Sequence, residues 1–402
     1  AKVLSVILPK KQIKILYLLP INVFMHFLHL PRAHKINEFK LERYFAKHEF
    51  TAKYLLSSSD CDGYELKYVL AQATQNELDL WEGMVFGYTE SEGDPLLREA
   101  ILQYYKIKSI ENVVVATPGE LNFISMNVLL NPSDHVVTVS PCYQSLSEVV
   151  NAIGCELSFW EPSSEIWEFD PADLEKLIQT NTKLIILNFP HNPTGGYLTR
   201  EQLDEVVRIA RKHNIYIFSD EMYHKLIAGS ASELPPIADV YEKGISLWGT
   251  SKTFGLAGLR TGWLVAQDAD FLKKVIAYKD YLSICNSAPS EILSIIALNH
   301  LDAFLLPNLE KIRANIELFD AFVTENPILS SFTPPKAGST SFVPLDIKTS
   351  SLAFSNQMVE KTGIMTVPSE MFNHRGKYIR VGFGRANFPE MLEILGQYLK
   401  TY

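Results

Sequence analysis

The sequence predicts an α/β fold, a large domain built on a mostly parallel sheet with helices on both faces, followed by a smaller α+β domain. Three observations carry that prediction. Short runs dominated by apolar residues recur at 113–116, 136–139, 184–187, 215–218 and 245–248, the pattern of strands buried on both faces. Helical patterns lie between them, at 121–130 and 199–213, so that strands and helices alternate from about 95 to 290 as a parallel sheet requires. From about residue 304 the composition turns to helix and then to a strand at 342–346, which belongs to the smaller domain.

The whole-chain properties narrow the function. At 402 residues the chain buries a large core. A formal charge of −9 with no basic face argues against a nucleic-acid binder. The four cysteines, Cys61, Cys142, Cys155 and Cys285, are scattered without metal-ligand spacing, which fits free thiols in a reducing cytoplasm. Residues 1–35 form an apolar extension. Its longest uncharged run, 15–31, falls short of a span and contains Pro20, which argues against membrane attachment.

In chain order, residues 36–56 read as an amphipathic helix, and Ser57-Ser58-Ser59-Asp60 as a polar loop that caps a helix or lines a cleft. Asp94-Pro95 starts a helix, since proline suits the first helical turn. After the strand at 113–116, Thr117-Pro118-Gly119 leads into a helix. A strand, a glycine turn and a helix N-terminus make an anion site, with the backbone amides of Glu120 and Leu121 facing the ligand. The Glu120 side chain must then point away. The strand at 136–139 ends at Ser140-Pro141-Cys142-Tyr143, where an aromatic serves either the core or a cleft. The strand at 184–187 runs into Asn188-Phe189-Pro190-His191-Asn192-Pro193, and a residue before proline is kept out of helix, so the Asn192 amide projects from the strand end. Asp220 closes the strand at 215–220, the end where open α/β sheets bind ligands, with Tyr223 three residues on.

The strand at 245–248 ends just before Lys252. Gly255, Gly258 and Gly262 then let the backbone turn tightly and approach a ligand. Lys252 and Arg260 are the only charges in this apolar stretch. Desolvation lowers a lysine's pKa, which suits a Schiff-base amine, and leaves Arg260 to fork onto a phosphate. Arg380 lies inside an apolar strand at 378–383, where it needs an anionic partner, either a structural ion pair or a bound carboxylate.

Ser-Lys-x-Phe-Gly-x-x-Gly-x-Arg-x-Gly-Trp at 251–263 resembles the pyridoxal-phosphate lysine signature of the class I/II aminotransferases, of fold type I. The resemblance spans roughly 36–400 and joins five motifs in family order. It implies a homodimer with pyridoxal 5'-phosphate on Lys252 and its phosphate held by Arg260. Gly119, Glu120 and Leu121 contribute to the phosphate site, and Tyr88 reaches it from the partner subunit. It further implies Tyr143 stacked on the pyridine face, Asp220 on the ring nitrogen, Asn192 and Tyr223 on the phenolic oxygen, and Arg380 on the substrate carboxylate, with Asn192 also orienting that carboxylate. Ser59 falls in the N-terminal segment that crosses the active-site mouth in that family. The family's phosphate-binding Ser or Thr three residues before the lysine is Gly249 here, and Thr250 is the substitute.

The implied organisation is an N-terminal segment at 36–80 joining the small domain, a cofactor-binding domain at 81–300 and a small domain at 301–402. The implied activity is amino-group transfer from an amino acid to a 2-oxo acid. The combination of Ser57-Ser58-Ser59, the 188–193 motif and Val367-Pro368-Ser369 is also similar to the capreomycidine synthase-like branch, which eliminates and cyclises a hydroxylated arginine. A non-catalytic regulator on the same fold is the third reading. No Gly-x-Gly-x-x-Gly follows a strand, which excludes a nicotinamide enzyme of that type.

Overall fold

Strand-length apolar runs bury their backbone only by pairing, and the structure shows how these pair. The computed structural model describes residues 35–162, 166–229, 231–329 and 332–402; the apolar run at 1–34 lies outside them. Residues 36–402 form one unit.

The helix expected over 36–56 is shorter, α1 at Lys40–His48. Ahead of it, the Asn37 backbone and side-chain N–H groups both donate to Glu148 Oε1, at 2.8 and 2.7 Å, so tertiary bonds replace helical turns. Beyond it, β1 (Tyr54–Leu55) pairs in parallel with Ile364–Met365, which takes the chain out of helix.

The large sheet comprises β2 (Val113–Ala116), β3 (His135–Val139), β4 (Glu156–Trp160), β5 (Thr182–Asn188), β6 (Tyr216–Asp220), β7 (Gly244–Gly249) and β8 (Gly262–Ala266), in the order β2-β8-β7-β6-β5-β3-β4. Strands β3 to β7 pair in parallel, while β8 runs antiparallel to both β7 and β2. The exception follows from chain length. Strand β7 returns as β8 through the turn at 250–261 without a crossover helix, and a parallel return needs one.

Alternation along β5 shows why helices cover both faces. Leu184 and Ile186 pack with Leu121 and Ile124 of α2 (Pro118–Leu129) and with Val149 and Val150 of α3 (Gln144–Ile153). Ile185 and Leu187 pack on the other face with Leu203, Val206 and Ala210 of α4 (Arg200–His213). Helix α4 starts where a capping box sets it. Thr199 Oγ1 accepts the Gln202 N–H at 3.2 Å, and Gln202 Oε1 accepts the Thr199 N–H at 2.8 Å.

After the long helix α5 (Leu301–Thr324) comes a second, antiparallel sheet. It consists of β9 (Thr340–Pro344), β11 (Val367–Pro368) and β12 (Tyr378–Gly382), with β12 in the middle. Between them lie α6 (Ser351–Thr362) and β10 (Ile364–Met365), the partner of β1. Register sets Arg380 between Val367 and Phe342, so its side chain leaves a strand flanked on both sides.

Candidate active site

A cavity of about 440 Å³ opens beyond the carboxyl ends of β5, β6 and β7, and Arg380 of β12 also lines it. Lys252 comes from the turn after β7. The Thr250 N–H donates to Thr261 O at 3.0 Å and the Leu256 N–H to Thr250 O at 3.1 Å, which fold the lysine loop on itself. Gly255 has φ +67° there, and a Cβ would lie 2.9 Å from Asp62 O, so only glycine fits. Lys252 Nζ donates to Ser59 Oγ at 3.0 Å. Burial lowers its pKa, opposed by the charge of Asp60. The 57–60 loop therefore lines the cavity.

Two adjoining strand ends are stitched together by a residue that motif reading left unassigned. Asn188, closing β5, donates its Nδ2 to Asp220 O at 3.1 Å and accepts the Asn192 N–H on Oδ1 at 3.1 Å. Its position beside Asp220 at a strand end was a legible signal. Asn192 Oδ1 in turn accepts from Arg380 Nη1 at 3.0 Å, while Arg380 Nε donates to Ser57 O at 3.0 Å. Arg380 is 1% exposed, and its Nη2 has no partner among the described residues. Desolvation by burial is the largest influence on Arg380 and pulls its pKa down, against Tyr223, Asp60, Tyr143 and Glu42. Such a buried charge calls for an anion. Asp220 Oδ1 accepts the Met222 N–H at 3.2 Å, and burial pushes its carboxyl up to about 6. The Tyr223 hydroxyl is buried near Ser59 and Arg380 without a well-formed hydrogen bond, and burial pushes it up to about 12.

Tyr143 lines the cavity and donates to Glu42 Oε1 of α1 at 2.9 Å. Leu41, Phe45 and Glu49 of the same segment complete that wall. The Glu49 carboxyl is held above its usual range by burial, and further by Asp60 and Glu42. None of these acidic wall residues belongs to a family motif. Glu42 and Glu49 stand seven residues apart, one helical face, which is the signal that would have found them.

Three of the expected phosphate ligands, the amides of Glu120 and Leu121 and the Thr250 hydroxyl, are directed elsewhere. Helix α2 begins at Pro118, three residues before the expected start, because Thr117 caps it. The Glu120 N–H thus goes to Thr117 Oγ1 at 3.4 Å and the Leu121 N–H to Thr117 O at 3.0 Å, so neither amide serves the cavity. The Glu120 carboxylate does point away, accepting the Ser283 N–H at 3.2 Å. Gly119 remains at the cavity, and a Cβ on it would meet no atom within 4 Å. Thr250 is fully buried, with its hydroxyl directed at Leu256 O and Thr261 O at 3.3 and 3.2 Å. Ser251 lines the cavity in its stead, beside Arg260, and Asn122 and Ser145 are further polar groups there. Gly249 is required, since a Cβ would lie 2.8 Å from Thr261 O. Tyr88 is 91% exposed and does not line its own chain's cavity.

These residues fit a phosphorylated pyridine aldehyde. The cavity offers a desolvated amine, a buried carboxylate for a ring nitrogen and, for a ring oxygen, a phenol that makes no well-formed hydrogen bond among the described residues. Gly119, Ser251 and Arg260 together suit a phosphate.

The description "Aminotransferase class I and II" matches residues 51–395, and the chain belongs to that family. It is a pyridoxal-phosphate-dependent enzyme of fold type I, an aminotransferase acting through a lysine Schiff base. It is 27% identical to capreomycidine synthase of Streptomyces vinaceus over 371 residues, 90% of this chain and 94% of that one. It is 28% identical to an aspartate aminotransferase of Pyrococcus horikoshii over 351 residues, 83% and 86% of the two chains. A solved PLP-dependent aminotransferase from Streptococcus suis 89-1591 matches with a TM-score of 0.85 at 29% identity, covering 92% of this chain and 99% of that one.

Proposed function

We propose that this enzyme transfers the amino group of an amino acid with a cationic side chain to a 2-oxo acid. The observation that carries the reading is the shared cavity of Lys252, Asp220, Asn192, Tyr223 and Arg380 with an acidic wall of Glu42, Glu49 and Asp60. Bound pyridoxal phosphate supplies an electron sink for the bonds at the substrate Cα. Gly119, Ser251 and Arg260 hold its phosphate, Asp220 its ring nitrogen, Asn192 and Tyr223 its ring oxygen, and Tyr143 its face. Arg380, fixed by Ser57 and Asn192, presents its free Nη2 to the substrate carboxylate. Lys252 Nζ, its pKa lowered by burial and positioned by Ser59, takes the α-proton. Once Tyr143 and Arg385 have occupied Glu42 and Asp60, Glu49 is left as the carboxylate for a cationic side chain.

The reading also places residues 81–300 as the cofactor-holding domain and 301–402 as the small one, in a cytoplasmic homodimer whose partner subunit brings Tyr88 to the phosphate. A second reading, elimination and cyclisation, is favoured by the capreomycidine synthase relative, which is matched over 94% of its length.

The test is a panel of amino acids mixed with 2-oxoglutarate. Arginine, ornithine and lysine should turn over faster than aspartate or alanine, with one glutamate formed per donor consumed. A preference for aspartate would overturn the cationic assignment. A β-hydroxylated arginine consumed in the same assay without glutamate, losing its hydroxyl as water, would establish the second reading. Borohydride should fix cofactor mass on Lys252, and Lys252→Ala should lose turnover; wild-type turnover in that variant would remove the lysine from the mechanism.

A further inference from the structure

The loop that brings Ser59 to Lys252 is built onto the end of β12. The Gly382 N–H donates to Leu56 O at 2.7 Å, and the Asp62 N–H to Gly384 O at 3.1 Å. A Cβ on Gly382 would run into Ser58 O, and one on Gly384 would lie 2.6 Å from Asp60 O, so backbone meets backbone there. Ser339 Oγ adds a bond to Ser59 O at 2.7 Å. Asp60 Oδ1 accepts from Arg385 Nη2 at 3.2 Å, and Arg385 Nη1 donates to Cys61 O at 3.2 Å. Arg385 is steadied in turn by Asp62, whose Oδ1 lies 3.6 Å from Nη1. Asp62 Oδ2 accepts from Lys311 Nζ of α5 at 2.7 Å and from the Ala386 N–H at 2.8 Å. Asp60 is thus fixed one residue from the hydroxyl that Lys252 bonds, and it lines the same cavity.

A lysine that takes a proton in a desolvated cavity needs a counter-charge. Cations crowd Lys252 instead. Arg380, Arg260 and Arg385 all lower its pKa, while Asp60 raises it and acts more strongly than any of the three. Coulombic attraction weakens with distance, so in the Asp60–Arg385 pair the carboxylate faces the amine and the guanidinium stands behind it. Two further carboxylates feel Lys252, those of Asp220 and Glu49. Asp220 is proposed for the ring nitrogen and Glu49 for the substrate side chain. The phenols of Tyr143 and Tyr223, pushed up by burial, bring no charge. Asp60 is the carboxylate left for the lysine.

We propose that Asp60, held by Arg385, is a positioning residue that stabilises the ammonium Lys252 becomes on taking the α-proton. The step breaks the Cα–H bond and forms an N–H bond at Lys252 Nζ, and the electron pair passes to the sink that bound pyridoxal phosphate supplies. Asp60 acts through the lysine and not on the substrate. The proposal rests on the reading of Lys252 as the proton acceptor, and is independent of which donor is preferred.

The absorption of the holoenzyme's cofactor, titrated from weakly acid to alkaline pH, reads protonation at the Lys252 nitrogen without turnover. Asp60→Asn should lower the midpoint by about one pH unit, and Asp60→Glu should restore it. A merely loosened loop would admit water and raise the midpoint, so a midpoint that stays or rises overturns the proposal. In turnover Asp60→Asn should lower kcat about tenfold, the equivalent of one pH unit, with KM for the donor nearly unchanged. A raised KM with unchanged kcat would put Asp60 on the substrate side chain and overturn the proposal, leaving the amino-transfer reading intact. Failure of Lys252 as the proton acceptor shows separately, as turnover in Lys252→Ala. Should Asp60→Asn not fold, Arg385→Gln, which removes an opposing cation, should raise the midpoint, and a midpoint that stays or falls would overturn the proposal.

Discussion

Two arginines line one cavity in different surroundings, and the proposed function gives them different anions. Arg380 is a buried fork held by Ser57 and Asn192, whereas Arg260 is exposed and bonded through Nη1 to Ala257 O at 3.2 Å. Arg260→Ala should therefore weaken pyridoxal phosphate binding in a titration of apoenzyme, and Arg380→Ala should not. Arg380→Lys should raise KM far more than it lowers kcat, because a point charge cannot replace a fork used in ground and transition states alike. The opposite pairing of variants and losses would exchange the two assignments. Glu221, next to Asp220, makes a second prediction. It is 5% exposed, its Oε1 accepts the Ile237 N–H and the Ser246 hydroxyl at 2.9 and 3.1 Å, and burial pushes its carboxyl up to about 8. Below about pH 4.3, its unfolded value, both states carry the proton. Above that, only the folded state keeps it, so the stability this group contributes falls with rising pH until about 8. Glu221→Gln keeps the two accepted bonds and removes the titration. Urea unfolding of apoenzyme at pH 5 and pH 8 should show the variant gaining on wild type by roughly 1.4 kcal/mol per pH unit at most. Parallel losses in the two proteins would show that Glu221 stays ionised.

At the scale of elements, the lysine loop shows what motif reading can and cannot supply. The strand β7, the glycines and the positions of Lys252 and Arg260 were legible, because a buried strand and a tight turn each leave a local pattern. The hydroxyl for the phosphate was misread as Thr250, since which of two adjacent side chains faces the cavity is set by pairing to Thr261, a contact across the loop. The same holds for α2, whose start moved to Pro118 once Thr117 served as its cap, withdrawing two amides from the cavity. The positions of Asp220 and Asn192 at the cavity were legible because strand ends are visible in sequence, and that of Arg380 because a charge inside an apolar strand stands out. The acidic wall of α1 was missed because nothing local says which sheet a short helix will cover. Gly249 makes this testable. Restoring the family's hydroxyl by Gly249→Ser should destabilise the apoenzyme by about 1–3 kcal/mol through overpacking against Thr261 O, and should not tighten cofactor binding. A stable variant with tighter binding would show that the loop accommodates the side chain.

On the scale of the whole molecule, four of the most exposed apolar side chains gather on two loops that are tied together. Val85, Phe86 and Tyr88 are 80%, 83% and 91% exposed, and Tyr281 is 90% exposed. Lys279, itself fully buried, donates Nζ to Ser91 O at 2.8 Å and to Ile284 O at 2.9 Å, and Ser91 Oγ donates to Ile284 O at 2.8 Å. Thr89 Oγ1 adds a bond to Asn286 O at 3.2 Å. A buried lysine spent on joining two loops makes sense only if the surface they form is used. Apolar side chains held outward on a fixed surface mark an interface, and in a homodimer the same patch meets itself across a twofold axis. The expected outcome is that Phe86→Asp with Tyr281→Glu shifts the protein from dimer to monomer in sedimentation velocity, by burying unpaired charge in an apolar contact. Tyr88→Phe should behave differently. It keeps the ring and so the dimer, but loses the hydroxyl proposed to reach the partner subunit's phosphate, so cofactor affinity should fall several-fold with the sedimentation coefficient unchanged. A monomeric wild type would remove Tyr88 from the site, and a dimeric charge variant would move the interface to another face.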